Sequence, residues 1–211
     1  MAGAEPPRAA LTGDRIVAAA IDLIEREGVD ALSMRRIAAD LGVAAMSLYY
    51  HVPSKAALLD AVAERIVDGI DYADDPVLDA DERARRLMRA FRKVAHDHPR
   101  CVQLVLTGRG DSPATLRLME ATLTLARAAG FEGVRAARVA QTFLAYALGS
   151  LVRETGARRA LQGQDPASWL GRLDPAVYPS LAALVADGLR FEPDAEFEFG
   201  LELLIRGLRR T

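Results

Sequence analysis

The 211 residues predict an all-α protein, a small N-terminal helical unit followed by a larger helical domain. Apolar residues recur at helical spacing along most of the chain, and no run shows the strict alternation of a half-buried strand. Ser, Thr or Asp precedes several of these runs and Gly closes others, which is how helix starts and stops are marked. Apolar residues make up 51% of the chain, ample for a buried core.

Residues 1–10, with Pro6-Pro7, read as a disordered arm on which Arg8 is a candidate phosphate contact. The first helix should start on Thr12 as cap, with Asp14 favoured in its first turn by the helix dipole. Its apolar stripe is Ile16, Val17, Ala20, Leu23 and Ile24, and Gly28 ends it.

Ser33 to His51 reads as two short helices joined by a sharp turn. Ser33 can cap the first, Ile37, Ala38 and Leu41 give it an apolar face, and Gly42 can adopt the left-handed conformation that ends it. Val43 and Leu48 can fill the angle between the two, and Tyr50 is expected to point inward by helical spacing. This is the pattern of a helix-turn-helix, whose second helix enters the DNA major groove. Pro53 then pushes Val52 out of helical geometry, and Ser54 can cap a fourth helix that starts at Lys55 and carries Leu58, Leu59, Val62, Ile66 and Ile70.

The acid- and proline-containing segment 71–80 reads as an exposed connection, giving an arm (1–10), a helix-turn-helix domain (11–71) and a larger helical domain (72–211). The next helix should run from about Asp79 to His98 with Leu87, Phe91 and Val94 inward. Its cationic fringe, Arg83, Arg85, Arg86, Arg89, Arg92 and Lys93, reads as a solvated face. A short helix is expected over Arg100–Leu106, and another from the cap Ser112-Pro113 to Gly130. A long one should cover Gly133 to about Thr155, followed by an irregular stretch, 157–173. Asp174-Pro175 repeats the cap-then-proline signal for a helix reaching about Gly188. The last helix should start after Asp194 with Phe197, Leu201, Leu204 and Leu208 on one face.

Val139 to Val152 carries no charge on any face, and at 14 residues it suits a buried helix and is too short for a membrane span. Gly200 and Gly207, at i and i+7 on the last helix, would leave a groove for close approach. Together these predict a two-fold homodimer sealed by a four-helix bundle, with Leu144, Leu148, Gly200, Leu204 and Gly207 at the interface.

Net charge is −2, which gives nucleic-acid binding no support by itself. Charge is distributed unevenly, however. Residues 1–71 sum to −4, whereas 33–57, with Arg35, Arg36 and Lys55 against Asp40, sum to +2. The single cysteine, Cys101, reads as a small core residue in a reducing cytoplasm, and the N-terminus lacks the apolar region of a secretion signal. An enzyme is not predicted: there is no Gly-rich phosphate loop, no nucleophile elbow and no His/Cys/carboxylate cluster.

The order LSMRRIAADL, then GVAAMSLYYHVPSKAALLDAV, with a helical remainder, resembles the TetR family of transcriptional regulators over roughly residues 12–70. The C-terminal DAEFEFGLELLIRGL resembles the last helix of the tetracycline-repressor subgroup. The resemblance implies a ligand-responsive regulator, most simply a repressor that binds a palindromic double-stranded DNA operator as a dimer. It implies that Arg35 reaches a base edge or phosphate, that Ala45, Met46 and Ser47 face base edges, and that Tyr49 and Lys55 meet phosphates. His51 matches a family position that is either phosphate-facing or packed. Ala44 and Ala45 depart from the polar residues common there, which shifts recognition toward Arg35 and Ser47. They also lend some weight to an alternative, a helical dimerisation or adaptor protein with weakened DNA binding.

Tetracycline repressors hold drug-bound magnesium through a histidine, and the matching run QLVLTGRGDSP has none. Glu154 matches a nearby acidic position, but one carboxylate makes no magnesium site, so no metal or cofactor is implied. Candidate walls of an apolar effector pocket are Phe91, Leu104, Leu123, Phe143, Tyr146 and Trp169.

Overall fold

The structure, a computed structural model describing residues 10–72, 74–107, 111–161, 170–188 and 192–208, contains ten α-helices and no strand among the described residues. Residues 1–9, which include Arg8, lie outside the described residues, as does Trp169. Helix α1 (Gly13–Glu27) starts where Thr12 Oγ1 accepts the Arg15 N–H at 3.3 Å, and its predicted stripe is buried. A single 3₁₀ turn (Val29–Ala31) leads to α2 (Met34–Leu41), α3 (Ala45–His51) and α4 (Lys55–Asp68). Ser33 and Ser54 cap α2 and α4 through the N–H groups of Arg36 (3.2 Å) and Ala57 (3.0 Å). Ile16, Leu23, Ile24, Ile37, Leu48, Leu58 and Val62 lock these four helices into one hydrophobic centre, each worth about 1.5–3 kcal/mol of transfer free energy.

The remaining helices are α5 (Ala80–Asp97), α6 (Pro99–Thr107), α7 (Pro113–Ala128), α8 (Gly133–Leu161), α9 (Pro179–Ala186) and α10 (Pro193–Leu208). Helix α6 packs on α1, α4 and α5, and α4 also meets α7, so the core runs without a break from the N-terminal unit into the larger domain. Cys101 and Val102 on α6 are the fully buried residues at that junction.

The described residues of the segment 71–80 are mostly exposed, as expected, and the segment is also anchored: Arg83, itself buried, donates from Nε (2.7 Å) and NH2 (2.5 Å) to Asp74, which also accepts the Tyr72 hydroxyl at 2.8 Å. Three expectations are corrected. The cationic fringe of α5 is in large part an interhelical ladder. Arg85 pairs with Glu202 (2.5 Å), Arg89 with Glu198 (2.7 Å) and Arg92 with Asp194 (2.7 Å), which sets α10 antiparallel to α5. Helix α8 continues through residues 157–161, the start of the stretch read as irregular. Asp174-Pro175 makes a turn in which Asp174 Oδ1 accepts the Ala176 N–H at 2.9 Å, and α9 starts later, on Pro179. The cap-then-proline signal is shared by turns and helices, and here a second proline supplied the helix start.

Candidate nucleic-acid interface and ligand cleft

The turn between α2 and α3 is set by Gly42 at φ +66°, with the Val43 N–H donating back to Ala38 O at 2.9 Å, a helix-ending loop that only a left-handed residue closes easily. It throws α3 outward. Of its seven residues Leu48 alone is buried; Met46 is 78% exposed, and Ser47, Tyr49 and His51 are exposed as well. Ala45 is half-buried against the core, so its methyl also serves packing. Tyr50 does not point inward. It is 89% exposed and stands edge-on to His51 at 5.3 Å, because a two-turn helix anchored by one leucine leaves its last turn no interior to enter.

The two adjacent arginines of α2 are used differently. Arg36 donates to Glu27 at 2.7 Å and to Asp40 at 3.3 Å, holding α2 on α1. Arg35 is exposed and, among the described residues, enters no ion pair. Lys55 is likewise exposed, in the first turn of α4 behind the Ser54 cap.

In the larger domain a cleft of about 410 Å³ opens between α7 and α8, with Val105 of α6 at one end. Its walls include Leu118, Met119, Leu123, Leu144, Ala145 and Leu148. Three polar residues line it. The Thr122 hydroxyl donates to the Leu118 and Met119 carbonyls, and the Thr115 hydroxyl to Val105 O, which leaves the exposed Gln141 amide as the side-chain donor that can orient a ligand. A neutral, mostly apolar molecule fits such a lining.

Of the five predicted wall residues that are described, Leu123 lines this cleft and the other four do not. Phe143 fills the contact among α5, α7 and α8, Leu104 packs half-buried on the core, and Tyr146 donates its hydroxyl to Phe197 O at 2.7 Å while stacking on that ring. Phe91 sits beside a buried cluster in which Glu154, 4% exposed, lies 3.0 Å from His96 Nε2 and 3.2 Å from Arg92. Large rings bury the most area and therefore go to the core, while aliphatic and small residues are left to line the cleft. The stripe Ala137, Ala140, Gln141, Leu144, Ala145, Leu148 on α8 was the signal that could have found it.

Leu144 and Leu148, expected at a dimer interface, line the cleft. Gly200 makes room for Tyr146 of its own chain, and Leu204 packs half-buried on the core. A Cβ at Gly207 would meet no described atom within 4 Å. The large apolar residues that α10 does present outward are Phe199 (68% exposed) and Leu203 (55%), and α8 presents Ala145, Gly149 and Val152.

A projecting second helix behind a Schellman-type turn, joined to a helical domain with an apolar cleft, defines a helix-turn-helix regulator. Residues 16–62 match the family profile described as "Bacterial regulatory proteins, tetR family", and residues 75–211 match "Tetracyclin repressor-like, C-terminal domain". The chain belongs to the TetR family and is a ligand-responsive transcriptional repressor. It is 33% identical to the HTH-type transcriptional repressor DrrR1 of Streptomyces coeruleorubidus, over 96% of this chain and 78% of that one. The solved structure of Streptomyces coelicolor ActR with actinorhodin is similar at TM-score 0.77 and 28% identity, covering 96% of this chain and 98% of that one. BioQ with its natural double-stranded DNA operator is similar at TM-score 0.66 and 27% identity, over 96% and 100%. These relatives are regulators rather than enzymes, and among the described residues no helix is long and apolar enough to cross a membrane.

Proposed function

We propose that this chain, acting in the cytoplasm and without catalytic activity, binds a palindromic operator as a two-fold dimer. It releases the operator when a neutral, largely apolar or aromatic molecule enters the α7–α8 cleft. The observation that carries this reading is the cleft itself, about 410 Å³ with Gln141 as its orienting group. Residues 11–71 are the reading domain and 72–211 the effector and dimerisation domain. In the reader, Arg35 and Ser47 hydrogen-bond base edges, Ala45 and Met46 touch thymine methyls, and Tyr49, Lys55 and His51 meet phosphates, with Tyr50 alongside. Phe199, Leu203 and Val152 are the apolar anchors of the dimer. That the similar ActR is bound to actinorhodin supports a small-molecule effector.

Selection from random-sequence DNA by the purified protein tests the first half. Two inverted half-sites about 34–36 Å apart centre to centre are expected. A single unpaired half-site, or binding that ignores sequence, would overturn it. For the second half, the selected operator is titrated in the presence of a panel of neutral apolar and aromatic compounds. Release that requires Gln141 and is weakened by Leu123→Trp in the cleft wall is expected; release unaffected by either change moves the effector elsewhere.

A further inference from the structure

Two polar ties between the reading unit and the effector domain differ in exposure. One is exposed: Arg117 of α7 reaches Glu64 (3.0 Å) and Asp68 (3.1 Å) of α4, with about half its side chain in water. Water and salt weaken such a pair. The other is the Glu25 side chain of α1, which accepts the Cys101 N–H at 2.9 Å and the Arg100 N–H at 3.2 and 3.3 Å.

The first turn of α6 explains why Glu25 matters. Pro99 has no N–H, and the Val102 N–H is taken by His98 O at 2.9 Å. The two donors that remain, Arg100 and Cys101, both go to Glu25. Neither His98 nor Pro99 supplies the hydroxyl or carboxylate that usually caps a helix. A carboxylate from the other domain therefore caps α6, in a charge-assisted bond to backbone at the positive end of the helix dipole. Beneath it Cys101 is fully buried, and burial first, the carboxylate second, push its thiol pKa well up. About one turn further on, Val105 of the same short helix lines the cleft.

We propose that Glu25 is the positioning residue that couples cleft occupancy to the DNA reader, by capping α6 from α1 so that the helix moves as a lever with the reader attached. The proposal rests on the reading of the α7–α8 cleft as the effector site. An occupant that displaces Val105 tilts α6, and the Glu25 bonds carry that tilt to α1. Without them α6 slides over α1 and the reader stays put. Arg117, screened by solvent, is dispensable for this.

A tethered occupant tests it without the natural effector. Met119 on the cleft wall is replaced by cysteine and labelled with pyrene maleimide; Cys101, buried and protonated, does not react. Operator affinity is then measured with and without the label, using an operator selected by the unlabelled protein. With Glu25 present, the label is expected to weaken operator binding about tenfold, within the 5–150-fold span of typical couplings. In Glu25→Ala the same label should cost less than about twofold, and in Arg117→Gln about tenfold still. Thermal unfolding confirms that each variant is folded. If Glu25→Ala does not fold, Glu25→Gln, which keeps an acceptor oxygen but loses the charge, is expected to fall to about threefold. A full tenfold label effect in the Glu25 variants, or its loss in Arg117→Gln alone, overturns the assignment. No label effect in the parent instead overturns the cleft as effector site, and the coupling with it.

Discussion

Arg35 and Arg36 are neighbours in sequence and opposite in use. Arg36 is held by Glu27 and Asp40, whereas Arg35 is left to the solvent face. Arg35→Ala should cost about 1–3 kcal/mol of operator binding and relax one operator position, with little loss on random DNA. Equal loss on both, read by competition binding, would make Arg35 a phosphate contact. Arg36→Ala should act on stability instead. Tyr50 shows where residue-level reading stops: spacing pointed it inward, but its surroundings are water. Tyr50→Ala should shift folding stability by less than about 0.5 kcal/mol, as surface changes do. A loss of several kcal/mol in urea unfolding would contradict the exposed placement.

At the scale of elements, helix existence and starts were largely legible because caps are local. Thr12, Ser33, Ser54, Asp79 and Ser112 each accept the backbone N–H three residues on. Helix faces were less legible, because a partner decides them. Gly200 looked like a groove for a second subunit and is instead where Tyr146 crosses. Gly200→Ala should therefore destabilise the fold by about 1–3 kcal/mol through overpacking. In a Tyr146→Ala background the same change should become stabilising by about 0.5–1 kcal/mol, since alanine is the better helix former. Chemical denaturation of the four proteins gives both signs, and a Gly200→Ala cost that persists without Tyr146 would refute the crossing.

The clamp after α4 makes a pH prediction. Burial first, then Asp74, raise the Tyr72 hydroxyl from 10 to about 12. A raised folded-state pKa means full stabilisation below pH 10, lost as pH climbs from 10 toward 12. Stability should fall across that window in the parent and fall less in Tyr72→Phe, followed by circular dichroism at fixed temperature.

For the whole molecule, the outward Phe199 and Leu203 on α10 are the measure of the proposed dimer. Leu203→Glu should yield a folded monomer in sedimentation and lower affinity for a two-half-site operator at least about tenfold, while single half-site binding is kept. A dimer that survives both Leu203→Glu and Phe199→Glu places the interface elsewhere.

The sequence by itself determined the helical class, the helix-turn-helix, most capped helix starts and the family, since each depends on periodicity or on contacts within a few residues. Which aromatic residues are core and which stripe of α8 faces the cleft depended on packing between distant segments. That packing also turned the arginines of α5 into a ladder to α10 and brought Glu25 to the start of α6, 75 residues away. These outcomes depend on how helices rotate about their own axes when they pack. That rotation is set by the summed fit of many side chains from distant segments, which local spacing does not contain.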